Sequence, residues 1–489
     1  MYESTRGNLN GQTASQAITL GMVPSGGLFV PSTFPNLNWQ DLQGLTYRDV
    51  AKQVMMPYLA DFPEEAVSSI VDVYRDGTFD GEDPAPLVSV GKFGVLELWH
   101  GPTAAFKDMA LQVLPDLLKV SLKQFNRDED VLILVATSGD TGKAALEGFK
   151  NRKGMHIVVF YPDGGVSPVQ ERQMTTTEGS NTHVVAVKGN FDQCQTAVKQ
   201  IFASESLKRR LQEKNLIFSS ANSINWGRLL PQIVYYYWAY LQAVKQGKVA
   251  AGSAMNVVVP TGNFGNLQAA YYAKCMGLPL DKIICASNTN NVLTDFFATG
   301  VYQSQRTFYQ TISPSMDILV SSNFERFLYE MSGRDAEKVR SWYDASNQGM
   351  FSVDDATLKA CRNTVYAGWA NEEETLETIA KSYQAYNYVF DPHTAVAMKV
   401  YDDYVSATKD QTFTAIASTA SPFKFSSNVI RGLDQRESCA DEWEALNRLS
   451  MLTGWKIPAG LQGLEKKPEK RVHSAIPEEI AQLVQIMFG

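Results

Sequence analysis

A single lysine closes an apolar, small-residue run, Leu98-Trp99-His100-Gly101-Pro102-Thr103-Ala104-Ala105-Phe106-Lys107-Asp108. A protonated amine is no nucleophile. Apolar surroundings disfavour the charged form and lower the pKa, which lets the amine attack an aldehyde. Schiff-base chemistry needs a lysine of that kind. A solvent-facing lysine at a helix start would read the same in isolation.

Three polar loops accompany it. Gly262-Asn263-Phe264-Gly265-Asn266 is a glycine-rich turn between an apolar run and a helical stretch. Glycine lets backbone approach a ligand closely, and a helix N-terminus offers N–H groups to an anion. The turn reads as a phosphate cradle or as a plain strand-to-helix connection. It does not match G-x-G-x-x-G, which argues against a dinucleotide site. Ser138-Gly139-Asp140-Thr141-Gly142-Lys143 fails the P-loop pattern at Thr137 and at Ala144. Its hydroxyls and N–H groups suit a carboxylate or phosphate, or Asp140 or Thr141 simply caps a helix. In the segment Ser219 to Arg228, the side chains of Asn222, Ser223 and Arg228 converge on an anion if the chain turns helical near Trp226. Otherwise Arg228 forms a surface ion pair. His100 and His393 read as hydrogen-bonded structural histidines. The five histidines are too dispersed for a metal site, and none is expected.

The elements that must position these loops alternate. Val131–Val135, His156–Tyr161, His183–Val187, Met255–Val259 and Phe413–Ala417 are short apolar runs, as strands buried on both faces require. Helical stretches separate them, which predicts parallel sheets with helices on both faces and ligands at strand carboxyl ends. Residues 1–92 read as helix and loop. The run Ile233–Leu241 reads as a buried helix, with Tyr235, Tyr236, Tyr237 and Trp238 as bulk.

The 489 residues, 44% hydrophobic and 20% charged, fit a soluble protein of two or three domains. A net charge of −8 argues against a nucleic-acid surface. The apolar runs fall short of the roughly 20 residues that cross a bilayer. Met1 to Arg6 lacks the features of a signal peptide. The five cysteines are scattered, with no C-x-x-C, so neither disulfides nor structural zinc is expected and a cytoplasmic setting fits.

Taken together, the chain resembles the threonine synthases, pyridoxal-phosphate lyases of fold type II. The segments that carry the resemblance are Ser4–Gly7, His100–Asp108, Ala136–Gly142, Asn222–Arg228, Gly262–Asn266, Ser313–Ile318, Ser321–Arg326 and Asp391–Ala395. The long N-terminal part is similar to the branch found in enterobacteria and fungi. The resemblance implies two three-layer α/β domains with parallel sheets and a mainly helical N-terminal extension. The divisions expected are 1–92 for the extension, 93–125 with 240–489 for the large domain, and 126–239 for the small one. It implies conversion of O-phospho-L-homoserine and water to L-threonine and phosphate, by a monomer or homodimer that binds neither nucleic acid nor membrane. Another fold type II lyase, such as a threonine dehydratase, or a catalytically silent relative is the alternative. Lys107 would join the cofactor covalently. Gly262, Asn263, Phe264, Gly265 and Asn266 would hold its phosphate, Thr419 would meet its ring nitrogen, and Asp140 its ring-oxygen side. Ser138 and Thr141 would face the substrate carboxylate, and Asn222, Ser223 and Arg228 the substrate phosphate. The chain departs from the family at Ser421, where histidine is usual, at Phe423, where alanine is common, and at Ala397, where glycine is usual. Asp140 stands where many fold type II enzymes have asparagine.

Overall fold

The apolar runs become strands with almost no exposed residue, because each lies inside a sheet covered on both sides. The computed structural model describes residues 1–75, 77–125, 127–137, 139–346, 348–434, 439–470 and 472–489, with only the backbone at 192. Along the chain, β1 (Leu87–Val90) and β2 (Phe93–Glu97) open a large sheet. β3 (Asp130–Ala136), β4 (Met155–Pro162), β5 (Thr182–Val187) and β6 (Leu216–Ser219) build a small one. β7 (Met255–Pro260), β8 (Leu280–Ser287), β9 (Val365–Trp369) and β10 (Thr414–Ser418) return to the large sheet, and β11 (His473–Ala475) to the small.

The large sheet has the order β9-β8-β7-β10-β2-β1, parallel except for β1 against β2. The small sheet, β11-β5-β4-β3-β6, is wholly parallel. Both match the expected architecture. The carboxyl ends of β2, β10 and β7 lie side by side, with Ser418 in register with Glu97.

Five helices position the polar loops: α1 (Asp108–Leu111), α2 (Asp140–Phe149), α3 (Trp226–Lys245), α4 (Gly265–Cys275) and α5 (Pro392–Thr408). α3 is buried over almost its whole length, as its uninterrupted aromatic and aliphatic run requires. The N-terminal helices Ala14–Leu20 and Tyr47–Met55 pack around it. Trp226 at its start is ringed by Tyr2, Tyr58 and Tyr272 at centroid distances of 5.3, 5.3 and 5.8 Å.

Three of the expected domain edges move. Leu87–Val90 forms an edge strand of the large sheet and not part of the extension. α3 runs unbroken across position 239. Residues 473–489 leave the large unit. β11 pairs with β5 from His473↔Val185 to Ala475↔Val187, and Ile480 and Val484 of the following helix, Ile480–Phe488, sit in the small sheet's core. A strand of three residues is too short to announce itself by alternation.

α1 and α2 meet at Gly148, where a Cβ would lie 2.1 Å from the Leu111 carbonyl oxygen. This contact fixes the helix that follows Lys107 against the helix that begins with Asp140. Gly148→Ala is expected to destabilise the protein by about 1–3 kcal/mol and to lower turnover by spreading the two helices. Thermal unfolding and a turnover assay check it. If both match the parent, the helices are not held at this distance.

Candidate functional site

The loop after β2 is zipped to the loop after β10. Leu98 N donates to Ser418 O at 3.0 Å, Phe106 N to Thr419 O at 2.8 Å, and Ser421 N to Ala104 O at 3.1 Å. Ala104 takes a left-handed φ of 56° to make the turn. The loop that carries Lys107 and the loop that carries Thr419 thereby become neighbours although they lie far apart in the chain.

Only 11% of the Lys107 side chain is exposed. Its amine lies 4.7 Å from the centre of the Phe106 ring and 3.6 Å from Asp140 Oδ2. Burial pulls its pKa down to about 8; the Asp140 carboxylate opposes the shift, and the Lys424 and Arg228 cations add to it. An amine so placed gives up its proton far more readily than a free lysine, with about a tenth of it neutral at pH 7. Asp140 begins α2 after Gly139, whose φ of 132° only glycine adopts readily and whose missing Cβ leaves room for Gln170. Asp140 accepts hydrogen bonds from Gln170 Nε2 and Ser315 Oγ, both at 3.0 Å, and pairs with Lys424 at 2.6 Å. Burial raises its pKa, but the cations of Lys424 and Lys107 outweigh burial and hold it well below the usual carboxylate range. The turn before α2 is fixed by the Thr137 hydroxyl, which accepts from Gly139 N and Gly142 N at 3.0 and 2.9 Å. The capping expected of Asp140 or Thr141 thus falls to Thr137. Thr141 is half-buried in the first turn of α2, and Ser138 lies outside the described residues.

After β7, Phe264 adopts a left-handed φ of 64° immediately before α4 and packs its ring on Phe324 and Phe327 at 5.0 and 5.2 Å. That anchor aims the first turn of α4 at the site. Gly262 must be small, since a Cβ there would stand 2.8 Å from Ser315 O. The Asn266 carbonyl receives the hydroxyls of Tyr235 and Tyr236 at 2.6 and 2.5 Å, which leaves its buried amide nitrogen without a partner. The two tyrosines expected as bulk in α3 therefore orient a loop side chain. The loop combines helix N–H groups, a close backbone approach and an unused donor, which suits a phosphate group.

Asn222 and Ser223 are half-buried on the loop before α3, and Arg228 lies in that helix's first turn. Arg228 is buried, not in the surface ion pair that the sequence left open. One Nη donates to Ala221 O at 2.8 Å, while Nε has no partner. Among the described residues no carboxylate pairs with it, and burial alone lowers its pKa to about 10. A buried, uncompensated cation calls for an anion from outside the protein. Arg326, equally buried, differs: it spends its donors on Phe29 O, Ile224 O and Asn323 Oδ1 and so braces the loop.

Sequence reasoning missed Lys424, Gln170 and Ser315. Lys424 sits in the short 3₁₀ turn Pro422–Phe425 between two phenylalanines, directly after the Thr419 loop. A lysine in so apolar a setting, one turn past a strand end, was the available signal. His393 is structural, as expected: its Nδ1 lies 2.7 Å from Asp391, and Nε2 accepts Ser315 N–H at 3.1 Å. Ser421, at the position of the usual histidine, is buried and caps the 3₁₀ turn through Phe423 N at 3.4 Å. Nothing in the structure explains Ala397.

The cysteines are all free, and no cluster of metal-ligating side chains occurs among the described residues. No described helix is long and apolar enough to cross a membrane.

Comparison with known proteins places this geometry among relatives. Residues 1–73 match the family described as threonine synthase N terminus, and residues 79–416 the pyridoxal-phosphate-dependent enzymes. The chain is 41% identical over 439 residues to human threonine synthase-like 1, which covers 86% of this chain and 58% of that one. It therefore spans little more than half the length of that relative. It is 35% identical to the threonine synthase of Saccharomyces cerevisiae, over 99% of this chain and 98% of the yeast protein. The crystal structure of a pyridoxal-phosphate-bound threonine synthase from Brucella melitensis superimposes with a TM-score of 0.87 at 36% identity, over 100% of this chain and 99% of the other.

Proposed function

The chain belongs to the threonine synthases, a pyridoxal-phosphate-dependent family, and from that premise we propose that it converts O-phospho-L-homoserine and water to L-threonine and phosphate. The observation that carries this reading is Arg228, buried beside the site with no carboxylate partner among the described residues. A dehydratase, whose substrate has no phosphate, would have no use for such a cation.

The residues present fit the cofactor. The orphaned amide of Asn266 and the space that a Cβ at Gly262 would fill support a phosphate held by Gly262, Asn263, Phe264, Gly265 and Asn266. Thr419, a neutral partner, would meet the ring nitrogen. When bound, the cofactor supplies an aldehyde for Schiff-base exchange and a ring that accepts electrons.

Lys107 does the proton work. A free Lys107 amine, its pKa lowered to about 8 by burial, would take the proton from the substrate α-carbon. Its length lets it reach protons at the neighbouring carbon as well. Asp140 stands 3.6 Å from that amine. Asp140 already accepts from Lys424, Gln170 and Ser315, so it orients Lys107 rather than bonding the ring oxygen. Thr141 and the residues beside it would face the substrate carboxylate. Arg228, with Asn222 and Ser223, binds the substrate phosphate and stabilises the charge that grows on it as it leaves, in surroundings where water does not screen it.

The test is phosphate release from O-phospho-L-homoserine together with identification of the amino-acid product. Threonine and phosphate in equal amounts are expected. Phosphate release without threonine, or deamination of threonine itself, would overturn the reading.

A further inference from the structure

Asp140 carries two cations on one carboxylate, and they are not equivalent. Lys424 reaches Oδ1 at 2.6 Å and also donates to Thr103 O at 3.0 Å. Lys107 stands 3.6 Å from Oδ2, beyond a strong hydrogen bond. The Oδ2 edge is instead occupied by Ser315 Oγ at 3.0 Å, and Ser315 is fixed in turn by His393, which Asp391 orients. Lys424 is fully buried, with no solvent to share its charge. A buried lysine is costly unless paired, so its retention at this place demands a reason.

We propose that Lys424 is a positioning residue for Lys107: by taking the short contact to Asp140, it keeps that carboxylate from locking the Lys107 amine as an ammonium ion. The proposal rests on Lys107 being the reacting amine. Three charges face Lys107: Asp140 from α2, Lys424 from the 3₁₀ turn and Arg228 from α3. Asp108, next in the chain, turns away to Thr103 N and Thr103 Oγ1 at 2.8 and 2.9 Å, and it faces Lys424. The sign comes from these neighbours. Removing Lys424 withdraws a repelling cation from Lys107 and frees Asp140 to pair with it. Both changes favour the ammonium form, so the Lys107 midpoint rises.

The experiment reads Lys107 directly. The full chain, before pyridoxal phosphate is added, is treated with acetic anhydride across a pH series, and acetylation at Lys107 is followed by peptide mass spectrometry. Lys424→Gln is expected to move the labelling midpoint up by about one pH unit, with roughly tenfold less labelling at neutral pH. The acid limb of the kcat profile of the loaded enzyme, which reports the complex in which the Lys107 amine is free, moves the same way. Lys424→Arg, which keeps the cation, stays near the parent. The double variant Lys424→Gln with Asp140→Asn returns the midpoint to the parent value or below, which a merely damaged structure would not do. If Lys424→Gln fails to fold, Asp140→Asn alone carries the test: its midpoint must fall, because the cations remain without the carboxylate. An unchanged or lowered midpoint in Lys424→Gln, a double variant that keeps the raised midpoint, or an unchanged or raised midpoint in Asp140→Asn overturns the proposal. A parent chain that labels as expected but makes no threonine defeats the assigned reaction and leaves the role of Lys424 standing.

Discussion

Lys107→Ala gives a folded protein without the absorbance of bound cofactor between roughly 330 and 430 nm and without threonine formation. The loss of turnover is on the order of 10³-fold or more, since one amine supplies both the covalent link and the proton transfer. Folding survives for a structural reason. Asp140 keeps Lys424, Gln170 and Ser315 as partners when the amine is gone, so no carboxylate is left bare. The deleted amine touches only Asp140 and the Phe106 ring among the contacts described, and its removal changes stability by about 1 kcal/mol. Turnover within tenfold of the parent would remove Lys107 from the chemistry. A protein that fails to fold would show instead that the lysine supports the loop between β2 and α1.

Arg228→Met is the second large effect, and it has two opposite parts. The value of kcat/KM for O-phospho-L-homoserine falls by about 10²- to 10³-fold, or about 3–4 kcal/mol, the range for losing a buried charge-assisted contact to phosphate. Stability in buffer free of phosphate holds or rises. Burial lowers the Arg228 pKa to about 10 and no carboxylate among the described residues compensates it, so the charge costs folding free energy at every pH below that value. Methionine fills similar space without that cost. Inorganic phosphate should raise the thermal midpoint of the parent by mass action and leave that of Arg228→Met unmoved. Thermal unfolding with and without phosphate separates this from a structural role. If the variant loses stability and keeps its response to phosphate, Arg228 lies outside the anion site.

Much of the frame could be read in the chain because buried parallel strands have a plain signature. Val131–Val135 and Met255–Val259 are uninterrupted apolar runs, and both are interior strands. Loops at their carboxyl ends were then placed by topology alone. What escaped was set by contacts between distant segments. Tyr235 and Tyr236 looked like filling, and only the fold shows their hydroxyls meeting at Asn266, some 30 residues away (|i−j| of 31 and 30). Lys424 was hidden for the same reason: its partner Asp140 lies on the other sheet's helix, and no local pattern links them. The cap falls on Thr137, a few residues before Asp140 and Thr141, and the sequence does not single it out because Asp, Thr and Ser crowd that turn and all cap well. The β11 strand was invisible because three residues carry no periodicity.

That last strand sets an order of events during synthesis. β5 forms the rim of the small sheet on one side until β11 joins it. β11 is made about 290 residues later, roughly 15–60 s at ordinary elongation rates of about 5–20 residues per second. For that interval the nascent small sheet shows the backbone donors and acceptors of an apolar strand, Thr182–Val187, to whatever is near. The ribosome-bound chain is most open to mispairing then, and shielding by a chaperone would matter most between the making of β5 and the arrival of β11.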